Sequence, residues 1–289
     1  MARLAWLTAD RPKAPELARP QLELSGPLLA SAFQAVARGS GELGGIERYA
    51  EALKLKIALF QDTLGAGKVE QLDLHGLMSL CAFMATVRRR VAPYLNSDGL
   101  DNIREGLAHL LGGASDTSTT DARVAAFCAR FPQDKAHRFI HDLAVETLHN
   151  VDPERYPLMN RWVWDARSNT GAIREIWFGD SVDRMTIPLP DGYATFLVLR
   201  EELSQFLTAE GVYRDVMFFV DILTAQIYSN YISAQGGAYL RADFSSPEDP
   251  MRHTRRILGL DGVRPGSNRT RLKAIDGEAF VLEDTKLLD

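Results

Sequence analysis

From Pro27 to Asn150 apolar residues recur at three- and four-residue spacings between glycine and proline stops, a pattern that a set of packed helices buries well. The clearest stretch, Ile46 to Leu64, sets Ile46, Tyr49, Leu53, Ile57 and Phe60 on one stripe. Before it, Ser25-Gly26-Pro27 opens a helix that runs to about Arg38, where the glycine-rich segment 39–45 ends it. Leu72 to Tyr94, Asp98 to Leu111, Asp121 to Phe131 and Asp134 to Asn150 read as further helices. Pro153 and Pro157 stop the last of these, because proline lacks the amide that a helix interior needs. Beyond the middle of the chain a helix starts at Glu201 and a long apolar one spans Val212 to Ile232.

Between Arg161 and Leu199 the texture changes. Trp162-Val163-Trp164, Ile173 to Phe178 and Tyr193 to Leu199 are β-prone runs, the first two separated by the turn sequence Ser168-Asn169-Thr170-Gly171. The expectation is a mainly α fold: a multi-helix globular core with a small antiparallel β insertion at about 161–199. Residues 1–24, with three prolines, read as an extended N-terminal segment, residues 25–240 as the helical core domain, and residues 241–289 as a polar C-terminal tail.

Composition narrows the class. With 289 residues, 46% hydrophobic and 25% charged, the chain can bury a large core. A net charge of -5 argues against a protein whose main task is to coat nucleic acid, since phosphate binding draws on surplus Lys and Arg. Arg88-Arg89-Arg90 closes a helix, where cations complement its negative end. Two cysteines, Cys81 and Cys128, sit in apolar helical patterns and suit a reducing, cytoplasmic setting rather than a disulfide scaffold. No stretch approaches the roughly 18 to 20 uninterrupted apolar residues of a membrane span.

The densest chemistry lies on Asp134 to Asn150, which holds His137, His141 and His149 with Asp142 and Glu146. On a helical wheel Asp142, Glu146 and His149 share the face opposite Phe139, Ile140, Leu143, Ala144 and Leu148. His141 and His149 stand about 12 Å apart along the axis, so one ion cannot take all three histidines. Glu146 and His149 form one Glu-x-x-His pair, and the second that a di-iron bundle needs is missing.

His109, then adjacent His141-Asp142, then Asp221 lie in that order on three predicted helices. This order resembles the ligand series of the helical metal-dependent phosphohydrolases of the HD superfamily. The resemblance implies a divalent metal (Mn, Mg or Fe) held by His109, His141, Asp142 and Asp221, activating water toward phosphate. Asp221 is set among Met217, Phe218, Ala225, Tyr228 and Ile232 on a helix apolar on both faces, so its carboxylate calls for a cation, a metal or strong donors. A salt bridge to Arg214 answers the same need.

The other concentration is aromatic. Trp162, Trp164 and Trp177 fall within sixteen residues, with Arg161, Arg167 and Arg174 interleaved. An aromatic and arginine surface suits a protein or nucleotide-like partner. The leading expectation is therefore a non-catalytic binding or regulatory protein whose contact surface is Trp162, Trp164, Arg174 and Trp177. Metal-dependent phosphohydrolysis is the alternative.

Overall fold

The computed structural model of the chain describes residues 19–41, 44–179, 182–236 and 251–261. Within them the helix stops expected from glycine and proline mostly fall in place. Ten α-helices follow: α1 (Gly26–Ser40), α2 (Ile46–Leu64), α3 (Leu74–Ala82), α4 (Ser97–Gly112), α5 (Thr120–Cys128), α6 (Phe139–Val151), α7 (Ala172–Glu175), α8 (Tyr193–Ala209), α9 (Val216–Gly236) and α10 (Arg252–Ile257). Caps fix several starts: Asp73 accepts from the Gly76 amide at 2.7 Å and Asn96 from the Gly99 amide at 2.8 Å, each satisfying a donor that the first helical turn leaves open. None of the helices among the described residues is long and apolar enough to cross a membrane.

Two helices organise the packing. α6 lies against α2, α4 and α5, while α9 lies against α1, α2, α7, α8 and α10, so α2 touches both. The expected stripe of α2 is the buried one, with Tyr49, Leu53, Ile57 and Phe60 all inside. α6 is buried on nearly every side, and its polar residues are as enclosed as its apolar ones.

The β insertion does not form. The described residues contain no strand, only isolated antiparallel bridges between Leu24 and Trp177 and between Asp165 and Thr170. Trp162 to Trp164 belongs to a turn in which Val163 and Trp164 both donate to the Asn160 carbonyl. The turn expected at 168–171 is present, but it closes on itself: Asn169 has φ +52°, and Gly171 has φ +129° where a Cβ would come within 2.6 Å of the Val163 carbonyl oxygen. Tyr193 to Leu199 is the first half of α8, because its buried Phe196 and Leu199 continue in register with Leu203 and Leu207. A helical period running past residue 199 outweighs the β propensity of a short run.

Two further boundaries move. The helix expected over Leu72 to Tyr94 ends at Ala82, and three-residue turns carry the chain to a short 3-10 turn at Ala92–Tyr94. The helix expected from Asp134 begins as a 3-10 turn, Lys135–His137, before α6. Of the expected N-terminal segment, residues 1–18 lie outside the described residues. Most of the expected tail does too, but its stretch 251–261 packs into the core, with Met251, Leu258 and Leu260 buried.

Polar anchors hold that stretch. Arg88 grips Asp261 with two contacts of 2.6 and 2.8 Å, which gives the first of the three arginines a structural partner. Thr254 donates to Gln226 of α9 at 2.7 Å. Gly259, at φ +76°, passes so close to α3's end that an added Cβ would sit 1.7 Å from the Phe83 carbonyl oxygen. Gly259→Ala is therefore expected to lower stability by at least about 2 kcal/mol, through left-handed strain added to the clash. Urea denaturation measures it, and an unchanged midpoint would mean that residues 251–261 do not dock at Phe83.

Candidate functional site

A row of buried polar side chains runs along α6: Asp142, Glu146, His149 and Asn150, each no more than 4% exposed. Each finds a partner, as buried polar groups must. Glu146 takes Lys56 of α2 on one oxygen at 2.7 Å and the Asn160 amide on the other at 3.1 Å. Lys56 also donates to the Leu258 carbonyl at 3.0 Å, tying the 251–261 stretch to the same pair. His149 places Nδ1 2.9 Å from the Tyr156 carbonyl oxygen and Nε2 3.2 Å from Asp221 of α9. Asn150 donates to the Glu146 carbonyl at 2.7 Å. These groups line a small cavity of about 10 Å³, a volume on the scale of one water.

Asp142, at the other end of the row, is fully buried and meets Arg161 twice, by Nη2 at 2.8 Å and by the backbone amide at 3.2 Å. Burial pushes its carboxyl up, but the His141 ring and the Arg161 guanidinium hold it below the usual carboxylate range. At 3.9 Å from Asp142 the His141 ring is beyond hydrogen-bond distance, so Arg161 is the closer holder.

Arg161 also faces an open cleft of about 720 Å³, within the usual range of a small-molecule site. One wall is α5, from Asp121 at its start to Cys128 at its end. The Lys135–His137 turn and the first turn of α6 supply Lys135, Arg138 and His141, and the segment 161–167 supplies Arg161, Asp165 and Arg167. Asp191 and Gly192 close the cleft beside Asp121. His137 contacts Asp134 at 2.7 Å and holds that carboxyl below its ordinary range. Burial pushes the Cys128 thiol up to about 11, with Asp142 adding to the rise and Arg161 opposing it, so it stays a neutral thiol near neutral pH.

The residues expected from the sequence are distributed differently. Asp142 turns to Arg161 and Asp221 turns to His149 rather than to Arg214. His109 lies in the last turn of α4. Among the described residues no group of three or more His, Cys, Asp or Glu is placed to hold a metal ion. Trp162, Trp164 and Trp177 are 8%, 0% and 7% exposed, so they pack as core and present no contact surface. Trp164 donates to the Leu189 carbonyl at 3.0 Å, which satisfies its one polar atom inside. Arg174 donates to the Asn169 carbonyl at 3.1 Å and clasps the turn.

Sequence reasoning missed Lys56 and Asn160. A signal for Lys56 exists: it follows Leu53 by three and Tyr49 by seven, which puts a cation in register with the buried stripe of α2. Asn160 lies in irregular chain after Pro157, where no period marks a buried position.

The depressed Asp142 carboxyl fixes a sign for pH dependence. Its stabilisation is complete above the unfolded carboxylate value of about 3.9 and is lost as pH falls through the lower folded value. Asp142→Asn is expected to flatten the acid limb of a stability-against-pH curve and to lower stability near neutrality by about 2 kcal/mol, since Arg161 loses its charge partner but keeps some solvent. Denaturant midpoints measured from acid to neutral pH decide it, and an acid limb as steep in the variant as in the parent would remove Asp142 from that role. Comparison with protein-family models, with curated proteins and with solved structures finds no match to this chain, so its function is read from this geometry.

Proposed function

We propose that the protein is a non-catalytic binding or regulatory protein that takes a small molecule bearing a phosphate or carboxylate group in the cleft beside α5. The observation that carries this reading is an imbalance of commitments in the cleft wall. Its carboxylates are engaged by the chain itself: Asp121 accepts the Tyr193 amide, Asp134 the Ala136 and His137 amides, Asp165 the Ser168 amide and Asp191 the Ala166 amide. Lys135, Arg138 and Arg167 form no ion pair among the described residues. Arg161 Nε and His141 Nδ1 are buried in the same wall without a hydrogen-bond partner there. Donors left open around a cleft of ligand size favour an oxyanion, and guanidinium groups suit its planar or tetrahedral oxygens.

The nucleotide-like partner expected from the sequence narrows to the anionic group, because the aromatic rings that would stack a base are interior. The cytoplasmic setting stays part of this reading, with Cys81 and Cys128 both free thiols.

Calorimetric titration with orthophosphate, pyrophosphate and glutarate tests the proposal. At least one is expected to bind saturably, with Kd in the micromolar to low millimolar range. Arg138→Ala and Arg167→Ala, both outside the buried core, are each expected to weaken it about tenfold. Flat titrations with all three anions, matched by no thermal shift, would overturn it.

A further inference from the structure

The buried ionic groups beside α6 are paired, but their hydrogen-bonding capacity is not exhausted. Asn160, 1% exposed, donates through Nδ2 to Glu146 Oε2 at 3.1 Å, while its Oδ1 is buried without a hydrogen-bond partner. Turning the amide over does not help, because Oδ1 would then face the Glu146 carboxylate, acceptor against acceptor. Lys56 Nζ carries three hydrogens and places two, on Glu146 at 2.7 Å and on the Leu258 carbonyl at 3.0 Å. Asp221 meets His149 through Oδ2, and a carboxylate offers about four lone-pair sites.

Lys56 of α2, Asp221 of α9 and Asn160 of the chain after α6 all line the cavity of about 10 Å³, and each is at most 5% exposed. Leu53, Leu158 and Ile257 complete its wall. A space of that size admits one water, and cavities in protein interiors hold water where their walls are polar and stay dry where they are apolar. The Lys56 ammonium on the wall opposes a further cation, and the Glu146 and Asp221 carboxylates oppose an anion. A neutral molecule that both donates and accepts meets the remaining need, because a buried acceptor left unmatched carries its full desolvation cost.

We infer that the cavity is a binding site for a single structural water, which accepts from Lys56 Nζ and donates one hydrogen to Asn160 Oδ1 and the other to Asp221. Such a water makes about three hydrogen bonds, the usual number for one buried in a protein. It joins the Lys56–Glu146 pair to the His149–Asp221 pair, so that α9 is tied to α2 and to the chain after α6 at one point. The site is separate from the cleft beside α5 and does not depend on what binds there.

A high-resolution crystal structure of the full chain tests the site directly. One ordered water is expected within about 3 Å of Lys56 Nζ, Asn160 Oδ1 and an Asp221 carboxylate oxygen. In solution, NMR cross-relaxation from the water line to the buried Leu53 methyl groups, which exchange no hydrogens, is expected with the sign of a water that stays bound longer than the chain takes to tumble. A cavity without density, an Asn160 Oδ1 that accepts from a protein donor instead, or Leu53 methyl groups that show no contact with water would each overturn the inference.

Discussion

A lysine and a glutamate enclosed in the centre of a helical core set the terms for everything around them. Lys56 and Glu146 stand 2.7 Å apart with their side chains only 4% and 6% exposed. Ions taken from water lose several kcal/mol of solvation each, and only close pairing with full hydrogen bonding compensates. Such a pair contributes little net stability against a well-packed apolar alternative, but its separation is strongly unfavourable. Any arrangement of the helices that misplaces α2 against α6 therefore strands two charges. The Asn160 amide and the Leu258 carbonyl complete the coordination, so the same requirement fixes the irregular chain after α6 and the segment beyond α9.

That requirement continues along α6 into the cleft. One turn before Glu146, Asp142 is held by Arg161, and the backbone that carries Arg161 follows Asn160 directly. Packing in the interior thus positions a guanidinium that both neutralises a buried carboxylate and faces the open volume. A guanidinium mounted in this way has little rotamer freedom left to lose.

Much of the helical order was legible because burial imposes a period on it. α2 keeps the boundaries that its stripe suggests, and α1 and α4 shift by a residue or two at each end. Legibility failed where local preference and distant packing disagree. Tyr193 to Leu199 looks β-prone in isolation, yet Leu203 and Leu207 draw it into α8. The tryptophans marked an unusual region correctly as to place, but chain composition cannot distinguish a ring turned outward from one buried against the Leu189 carbonyl. The polar face of α6 was visible too, and its reading as a separate face from the apolar one holds. What could not be seen was that both faces are interior, because the partners come from 90 residues earlier for Glu146 and from α9 for His149. Asp221 illustrates the limit: its apolar surroundings announced that it needs a partner, while the identity of that partner depended on tertiary packing that brings His149 to it.

The most direct test of this arrangement is a double-mutant cycle on unfolding free energy, combining Lys56→Met and Glu146→Leu. Lys56→Met alone should lower stability by about 3 kcal/mol, since it leaves Glu146 buried beside Asn160 without a cation. Adding Glu146→Leu should recover a large part of that loss, giving a coupling of at least about 1.5 kcal/mol. Losses that simply add, to within about 0.5 kcal/mol, would contradict the claim that this ion pair fixes the placement of α2, α6 and the segment beyond α9.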